Sequence, residues 1–283
     1  MKLSIITINL NNAEGLRKTI ESVISQTFTD LEYIVIDGAS TDGSLDIIKQ
    51  YAGRINYWIS EADTGIYNAM NKGIKVAKGE YVLFLNSGDW FVDQDVLCDF
   101  SSINCNSDII TGNLIILDDS GTTQLHIAPD QEQLSFNTFT RGSLPHQASF
   151  IKRTLFDKYG LYDETYKIVS DKDFFIKALI VNNCSYEHID RVISCFPLGG
   201  VSSDIEFRGL YDRESEMVIS KVTFPLVYKA YKNIQNENIQ YKELFDKYRD
   251  YINLLNGKLS LVVKFILSTK LFIKRTIKFL CSK

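Results

Sequence analysis

Three aspartates, Asp37, Asp63 and Asp89, each stand at or just after the end of a predicted strand. The carboxyl ends of parallel strands meet along one edge of a sheet, and ligands of open α/β folds bind at that edge. We therefore expect the three carboxylates to converge on one crevice. Carboxylates placed this way can accept hydrogen bonds from a ligand or hold a metal ion.

The segment Asn86-Ser87-Gly88-Asp89 carries one isolated carboxylate and directly follows the apolar run at 81–85. A carboxylate at this place can hold a divalent cation, Mg²⁺ or Mn²⁺, which in turn can hold the phosphates of a nucleotide. Asn, Ser, Gly and Asp are also the usual turn residues, so a solvated turn is the alternative interpretation of this segment taken alone.

The first ninety residues alternate strand and helix signals, which predicts a parallel sheet. The predicted strands are Leu3–Ile8, Glu32–Ile36, Tyr57–Ser60 and Glu80–Leu85. Apolar residues at helical spacing predict helices between them, the first capped by Asn11 or Asn12. Further along we expect strands at Asp108–Leu117, Ser149–Ile151 and Asp190–Phe196, a hairpin turn at 118–121, and a helix over Asp173–Leu179.

The chain of 283 residues is long enough for one large domain and an appendage. We place the edge near Asp204–Arg208, which gives an α/β domain at 1–205 and a helical extension at 206–283. The extension is assigned from apolar residues that recur at three- and four-residue steps between 241 and 255.

Composition excludes several functional classes. The net charge of −4 gives no global basic field for nucleic acid. The five cysteines contain no CxxC pair, so neither a disulfide framework nor a zinc site is indicated, and a reducing cytoplasm fits best. The segment Met1–Asn9 predicts a first strand rather than a signal peptide. No uncharged apolar run approaches the roughly 20 residues of a membrane-spanning helix.

The last 26 residues, 258–283, contain seven Lys or Arg and no Asp or Glu. On a helical projection their apolar residues form one uncharged stripe and the basic residues occupy the remaining arc. This pattern predicts a helix that lies on an anionic membrane surface. The alternative is a helix docked on the protein's own core with its lysines outside.

Several blocks in order resemble the family 2 glycosyltransferases, which have the GT-A fold, a Rossmann-like α/β fold with a mixed sheet. The first are the opening strand with its Asn11-Asn12 sequel and VIDGASTDGS at 35–44. SEADTGIYNAMNKG at 60–73 is similar to a subgroup from bacterial surface-polysaccharide gene clusters. The later blocks are SDKDFF at 170–175, PHQASF at 145–150 and FPLGGVS at 196–202, so the resemblance covers roughly residues 3–205.

The resemblance implies a donor site for a nucleotide sugar. Asp37 matches the position that accepts a hydrogen bond from the base, and Asp89 matches the metal-binding Asp of the family's DxD-type motif. Many relatives carry acids where this chain has Asn86 and Gly88, so a cation here would lean on diphosphate oxygens and water. Further donor contacts are expected from Asp42, Asp63, Asn71, Lys72, Gly199 and Gly200. A helix cap competes with the donor role for Asp42, a turn for Asp63 and a solvated helix position for Lys72.

Asp171 aligns with the family's catalytic Asp, which takes the proton of the acceptor hydroxyl as that oxygen attacks the sugar. The alternative for Ser170 and Asp171 is helix capping. His146 and Gln147 match a segment near the acceptor, where metal contact and acceptor contact cannot be separated.

We therefore expect an inverting, metal-assisted glycosyltransferase that moves a sugar, from UDP by preference, to a lipid-linked or saccharide acceptor in bacterial surface-polysaccharide synthesis. We expect it on the cytoplasmic face of the membrane. The alternative is a catalytically impaired nucleotide-sugar or glycan-binding protein of the same fold. A Rossmann dehydrogenase is excluded because no G-x-G-x-x-G follows the first strand. The chain also lacks the QxxRW motif and the spanning helices typical of processive synthases.

Overall fold

Strands and helices alternate through the first ninety residues, as the sequence predicts. A computed structural model describes residues 3–103, 106–118, 120–199 and 207–222, together with five single positions between 233 and 243. The strands of this part are β1 (Leu3–Asn9), β2 (Leu31–Asp37), β3 (Tyr57–Ser60) and β4 (Tyr81–Phe84). The helices between them are α1 (Ala13–Ile24), α2 (Ser44–Tyr51) and α3 (Ile66–Val76).

Helix α1 begins where Asn12 caps it. The Asn12 side chain accepts a hydrogen bond from the Gly15 backbone N–H at 3.1 Å, which satisfies one of the free donors of the first turn. The sequence left Asn11 and Asn12 both open as caps. The structure selects Asn12 and places Asn11 in the left-handed region with φ +49, a conformation that asparagine tolerates better than most residues.

The later strands complete a mixed sheet. They are β5 (Trp90–Phe91), β6 (Ile109–Leu117), β7 (Thr123–His126), β8 (Ser149–Lys152) and β9 (Tyr186–Pro197). In the described part of the chain the strand order is β3-β2-β1-β4-β8-β6-β9-β5, and β7 pairs with β6 as the predicted hairpin. Strands β1 to β4 pair in parallel, whereas β8 is antiparallel to both β4 and β6. Strand β9 begins earlier than predicted because its first residues pair with β6 ahead of a bulge.

The register of the parallel strands positions the site. Asn9 at the end of β1 is the pairing partner of Asp37, and Asp37 is in turn the partner of Ser60 at the end of β3. The ends of β1, β2 and β3 therefore lie side by side at one edge of the sheet, and Asp37 is one of the three aspartates expected to converge there.

Two apolar cores cover the two faces of the sheet. Alternate residues of one strand enter different cores, so that Ile6 and Phe84 belong to one and Ile5 and Leu83 to the other, as the two-residue period of a strand requires. The remaining helices are α4 (Val96–Ser102), α5 (Phe136–Arg141), α6 (Thr154–Tyr159), α7 (Ser170–Phe175, continued by a π-helical turn to Val181) and α8 (Arg208–Val222).

Helix α8 packs with the sheet domain, beyond the predicted edge near Asp204–Arg208. Its Glu214 carboxylate accepts hydrogen bonds from the backbone N–H groups of Lys167 at 2.9 Å and Ile168 at 3.0 Å. Val218 of the same helix is fully buried in the core. The first compact unit accordingly ends at Val222, and the second spans Thr223–Lys283.

The predicted amphipathic helix at 258–283 lies outside the described residues. Among the residues that are described, none of the helices combines the length and apolar character that crossing a bilayer requires.

Candidate active site

Asp37 is fully buried at the end of β2, and protein donors surround its carboxylate. It accepts hydrogen bonds from Asn9 Nδ2 (2.7 Å), Ser40 Oγ (2.6 Å), the Ser40 backbone N–H (3.0 Å) and Ser60 Oγ (2.6 Å). Burial acts to raise the pKa of Asp37, but the hydrogen bonds from Ser40, Ser60 and Asn9 together lower it below its ordinary value. Asp37 thus ties the ends of β1, β2 and β3 together, and its contact with a base stays a prediction.

Asp42 bridges two helix starts. Its carboxylate accepts hydrogen bonds from the backbone N–H of Ala13 at 2.7 Å and from the Ser44 hydroxyl at 2.6 Å, which are the first residues of α1 and α2. Hydrogen bonds from Ser44 are the main reason that the pKa of Asp42 is lowered. Asp42 thus binds the first residues of two helices, as the capping alternative predicts. A contact between Asp42 and the nucleotide sugar stays a prediction.

Asp63 lies beside the end of β2, as expected for a residue of the crevice. Its Oδ1 accepts a hydrogen bond from the Gly65 backbone N–H at 3.0 Å. A Cβ atom at Gly38 would lie 2.6 Å from Asp63 Oδ2, so a larger residue there would require the Asp63 side chain to shift.

Asn71 and Lys72, two of the predicted donor contacts, have partners within the protein. The buried Asn71 amide donates to the Tyr162 carbonyl and to Glu164, both at 2.9 Å, and accepts from the Tyr162 N–H at 3.0 Å. Lys72 donates to the Ala62 carbonyl at 3.0 Å and pairs with Glu61 at 2.9 Å. Both side chains thus hold neighbouring segments of the protein, and donor contacts by Asn71 and Lys72 stay predictions.

The turn that carries Asp89 is fixed by α1. The buried Thr19 hydroxyl accepts a hydrogen bond from the Gly88 N–H at 3.0 Å and lies 2.6 Å from the Asp89 carbonyl oxygen, to which it donates. Asn12 Nδ2 donates to the Ser87 carbonyl at 3.1 Å. Gly88 sits at φ +104, a conformation that glycine adopts without strain. The turn is therefore part of the folded framework and not a mobile surface loop.

The Asp89 carboxylate is buried with only 4% of the residue exposed. Burial raises its pKa to about 7, and the nearby His146 ring and the Asn86 backbone oppose that shift only in part. A buried negative charge that its surroundings leave largely uncompensated favours a cation as partner.

The residues at this turn fit a divalent cation held by few protein ligands. Within the described residues no group of three or more His, Cys, Asp and Glu could hold a metal by itself. Asp89 supplies one carboxylate, and the Asn86 Oδ1 atom is buried without a hydrogen-bond partner. Both are hard oxygen ligands, and Mg²⁺ commonly uses one or two carboxylates together with waters and substrate phosphates.

Asp171 lies in the first turn of α7, and its two carboxylate oxygens have different partners. Tyr67 donates its hydroxyl to Oδ1 at 2.9 Å, and His146 Nδ1 lies 3.4 Å from Oδ2. Burial, followed by the charge of Asp171, raises the pKa of Tyr67 well above its usual value, so Tyr67 remains a donor. The helix cap is Val169, which makes no side-chain capping bond. The capping alternative for Asp171 is therefore not seen.

His146 joins the Asp89 turn to Asp171. Its Nε2 atom lies 3.1 Å from Asn86 Nδ2, while its Nδ1 atom faces Asp171. Contacts also run from Asp37 through Ser40 to the Asn11 backbone N–H, and from Asn12 to Ser87. The strand ends with Asp37, the Asp89 turn and Asp171 are thus connected along one edge of the sheet.

The other predicted residues have these positions. Gln147 is buried next to His146, and its carbonyl accepts a hydrogen bond from Ser194 at 2.7 Å. Gly199 has φ +109 and no atom near the place of a side chain, whereas Gly200 lies outside the described residues. A cleft of about 560 Å³ opens beside the Asp89 turn and is lined by Asn12, Lys18, Gly88, Trp90 and Pro197, among others.

Sequence reasoning missed three residues of this region. Tyr67 lies within the 60–73 block, but its role, like that of Thr19, comes from a partner about 70 to 100 positions away. Lys172, next to Asp171, is also buried, and its Nζ lies 5.3 Å from the Tyr211 ring centroid. Burial lowers the pKa of Lys172 to about 8, against the raising effect of Asp171 and Asp212. The signal available in the sequence was the position of Lys172 between Asp171 and Asp173.

Comparisons with known proteins show the family of this chain. The family model described as "Glycosyl transferase family 2" matches residues 4–154. An uncharacterized glycosyltransferase of Mycobacterium tuberculosis is 35% identical over 211 residues, 72% of this chain and 78% of that protein. A PGL/p-HBAD biosynthesis glycosyltransferase of Mycobacterium bovis is 32% identical over 213 residues, 71% of this chain and 79% of that protein.

Among solved structures, S. aureus TarS 1-349 in complex with UDP-GlcNAc superposes with a TM-score of 0.62 at 20% identity. That match covers 77% of this chain and 65% of the TarS chain, so this chain spans slightly less than two thirds of it. The mannosyltransferase PcManGT of Pyrobaculum calidifontis, in complex with GDP-Man and Mn²⁺, superposes with a TM-score of 0.52 at 14% identity. That match covers 88% of this chain and 82% of the PcManGT chain. The fold is therefore GT-A, and the chain belongs to glycosyltransferase family 2.

Proposed function

We propose that this chain is an inverting glycosyltransferase in which Asp171 is the general base. The observation that carries the proposal is the position of the Asp171 carboxylate. Tyr67 donates a hydrogen bond to one of its oxygens, and His146, which also contacts Asn86 of the Asp89 turn, lies beside the other. A carboxylate so oriented can take the proton of an acceptor hydroxyl, and such help contributes roughly 10²–10⁴-fold to the rate.

The reaction follows from this arrangement. The acceptor oxygen attacks the anomeric carbon, Asp171 receives the hydroxyl proton, and the bond from that carbon to the nucleoside diphosphate breaks on the opposite face. A single displacement inverts the anomeric centre, and no covalent enzyme intermediate is required. Asp89, with Asn86 Oδ1, would hold Mg²⁺ or Mn²⁺, which neutralises charge on the leaving diphosphate.

The donor is proposed to be a nucleotide sugar, with UDP tested first. Two structural neighbours support a nucleotide sugar in general, since TarS is seen with UDP-GlcNAc and PcManGT with GDP-Man. We propose a lipid-linked or saccharide acceptor of bacterial surface-polysaccharide synthesis, consistent with a relative whose name places it in PGL/p-HBAD biosynthesis.

The proposal is tested by nucleoside diphosphate release from a panel of nucleotide sugars with Mn²⁺, comparing Asp171→Asn with Asp173→Asn. The control makes the same chemical change two residues away on the same helix. We expect Asp171→Asn to lose roughly 10²–10⁴-fold in kcat and to keep donor-dependent thermal stabilisation. Equal rates in wild type and Asp171→Asn would refute the base assignment.

The second candidate is a nucleotide-sugar or glycan-binding protein without catalysis, favoured only by the single carboxylate of the 86–89 turn. Such a protein would be stabilised by a nucleotide sugar in the same panel, but wild type would release no nucleoside diphosphate from any donor.

We further propose that the chain works at the inner face of the cell membrane through residues 258–283, a segment with seven basic residues and no acidic residue. Full-length protein should sediment with phosphatidylglycerol vesicles and not with phosphatidylcholine vesicles, and deletion of 258–283 should abolish the difference. Unchanged sedimentation after deletion would contradict the anchor.

A further inference from the structure

The His146 ring lies between two polar side chains of the candidate site. Its Nε2 atom is 3.1 Å from Asn86 Nδ2, and its Nδ1 atom is 3.4 Å from Asp171 Oδ2. Only 19% of the His146 side chain and 13% of the Asp171 side chain are exposed. Both ring nitrogens thus face protein partners in a partly buried place.

The chemistry of these partners determines which nitrogen carries the proton. An amide nitrogen is a donor and has no lone pair to offer, so the atom it faces must accept. In the neutral ring this arrangement assigns the lone pair to Nε2 and the proton to Nδ1. The Nδ1–H group then faces a carboxylate oxygen, which can only accept.

We propose that His146 is a positioning residue that holds Asp171 in its productive orientation, and that the Asn86 amide fixes the tautomer that makes this possible. The proposal rests on the assignment of Asp171 as the base and deepens it. Tyr67 donates a hydrogen bond to Oδ1 of the same carboxylate at 2.9 Å, so each of the two oxygens has its own neighbour. The 3.4 Å separation at Oδ2 is long for a hydrogen bond, as is common at sites that tighten when substrate binds.

Asparagine at position 86 suits this role better than aspartate. Its amide presents a donor to His146 and leaves Oδ1 buried without a hydrogen-bond partner, on the same turn as Asp89. An aspartate would offer only acceptors, so His146 Nε2 would have to carry a proton to meet it. The neutral ring would then have no proton left to donate to Asp171.

The first test reads the tautomer directly and requires no activity. Full-length protein with ¹⁵N-labelled histidine is studied by long-range ¹H–¹⁵N NMR, and the His146 signals are assigned by their loss in His146→Asn. We expect the pattern of a neutral ring with its proton on Nδ1 in wild type, and protonation of Nε2 in Asn86→Asp. A wild-type ring protonated on Nε2 alone would overturn the proposal.

The second test uses two isosteric variants as a matched pair. The amide nitrogen of His146→Asn can occupy the place of Nδ1 and donate to Asp171, whereas that of His146→Gln occupies the place of Nε2 and cannot. We expect His146→Gln to lose about 10- to 100-fold in kcat with little change in the KM for donor. His146→Asn should be about tenfold faster than His146→Gln.

Equal kcat values in the two variants, or a loss confined to KM, would refute the positioning role. The outcome can be separated from failure of the proposed function. If Asp171→Asn is as fast as wild type, the base assignment fails, whereas the tautomer found by NMR is independent of that result.

Discussion

Asp37 and Asp89 are both buried carboxylates near strand ends of the same sheet, yet their surroundings differ. Asp37 accepts four hydrogen bonds from Asn9, Ser40 and Ser60, and these lower its pKa despite burial. At Asp89 burial outweighs the favourable effects of His146 and the Asn86 backbone, and its pKa is raised to about 7.

The difference separates a carboxylate that stabilises the fold from one that is kept for a ligand. A buried acid with its lone pairs filled by protein donors contributes to the framework. A buried acid whose charge is poorly compensated destabilises the protein alone and gains when a cation arrives. Sequence position does not distinguish the two cases, since both follow predicted strands.

Among the variants that test this difference between Asp37 and Asp89, we expect Asp89→Ala to have the largest effect. Loss of the carboxylate removes the proposed hold on the cation, whose charge stabilisation is worth several kcal/mol, so we expect nucleoside diphosphate release with Mn²⁺ to fall about 10²–10³-fold. The control is Asp46→Ala, an exposed acid in the first turn of α2, which should be as active as wild type. Unchanged wild-type activity after EDTA treatment would contradict the metal role.

The pH dependence of stability should follow the raised pKa of Asp89. The folded metal-free protein holds this proton up to about pH 7, whereas the unfolded chain releases it near pH 4. The folded state therefore binds more protons between these values, and its free energy of unfolding should fall as pH rises from 4 to 7, by at most about 4 kcal/mol. Asp89→Asn should flatten this slope, as measured by urea denaturation in EDTA. Asp37, with its lowered pKa, contributes stability that is lost only on acidification below about pH 4. A wild-type stability that rises from pH 4 to 7 by the same amount as in Asp89→Asn would contradict the prediction.

Asp37→Ala should destabilise the folded protein. It leaves the donors of Asn9, Ser40 and Ser60 without their common acceptor, so we expect the free energy of unfolding at pH 7 to fall by about 3 kcal/mol. Urea denaturation measures this loss, with Asp46→Ala again as the control. A stability equal to that of wild type would show that these hydrogen bonds do not hold the strand ends together.

Thr19→Val should give the smallest of these effects. The change preserves the shape of a buried side chain but removes the acceptor of the Gly88 N–H, at a cost of about 1–2 kcal/mol in unfolding free energy. Weaker Mn²⁺ binding, measured by calorimetry, should accompany it because the Asp89 turn loosens. Thr154→Val, at an exposed position at the start of α6, should change neither quantity. Identical results for the two variants would mean that Thr19 does not fix the turn.

The sequence predicted which strands form the framework of the site. It did not predict which of the polar side chains there have hydrogen-bond partners within the protein. The placement of Asp37 at a strand end follows from local apolar runs, which is why the first four strands were found within one residue of their observed bounds. Nothing in the sequence indicated that the Asn71 amide binds Tyr162 and Glu164, residues that lie more than 90 positions away in sequence. Tyr67 was missed for the same reason, because tertiary contacts of this kind leave no periodic signal.

The contact between Glu214 and the backbone of Lys167 and Ile168 has a practical consequence for protein engineering. These two amides immediately precede the helix that bears Asp171. A chimera joined at residue 205 would replace the carboxylate that accepts both hydrogen bonds and leave these donors, of which the Ile168 N–H is buried, without their acceptor close to Asp171. Exchanges of C-terminal segments between relatives should therefore be made after Val222, where the sheet domain ends.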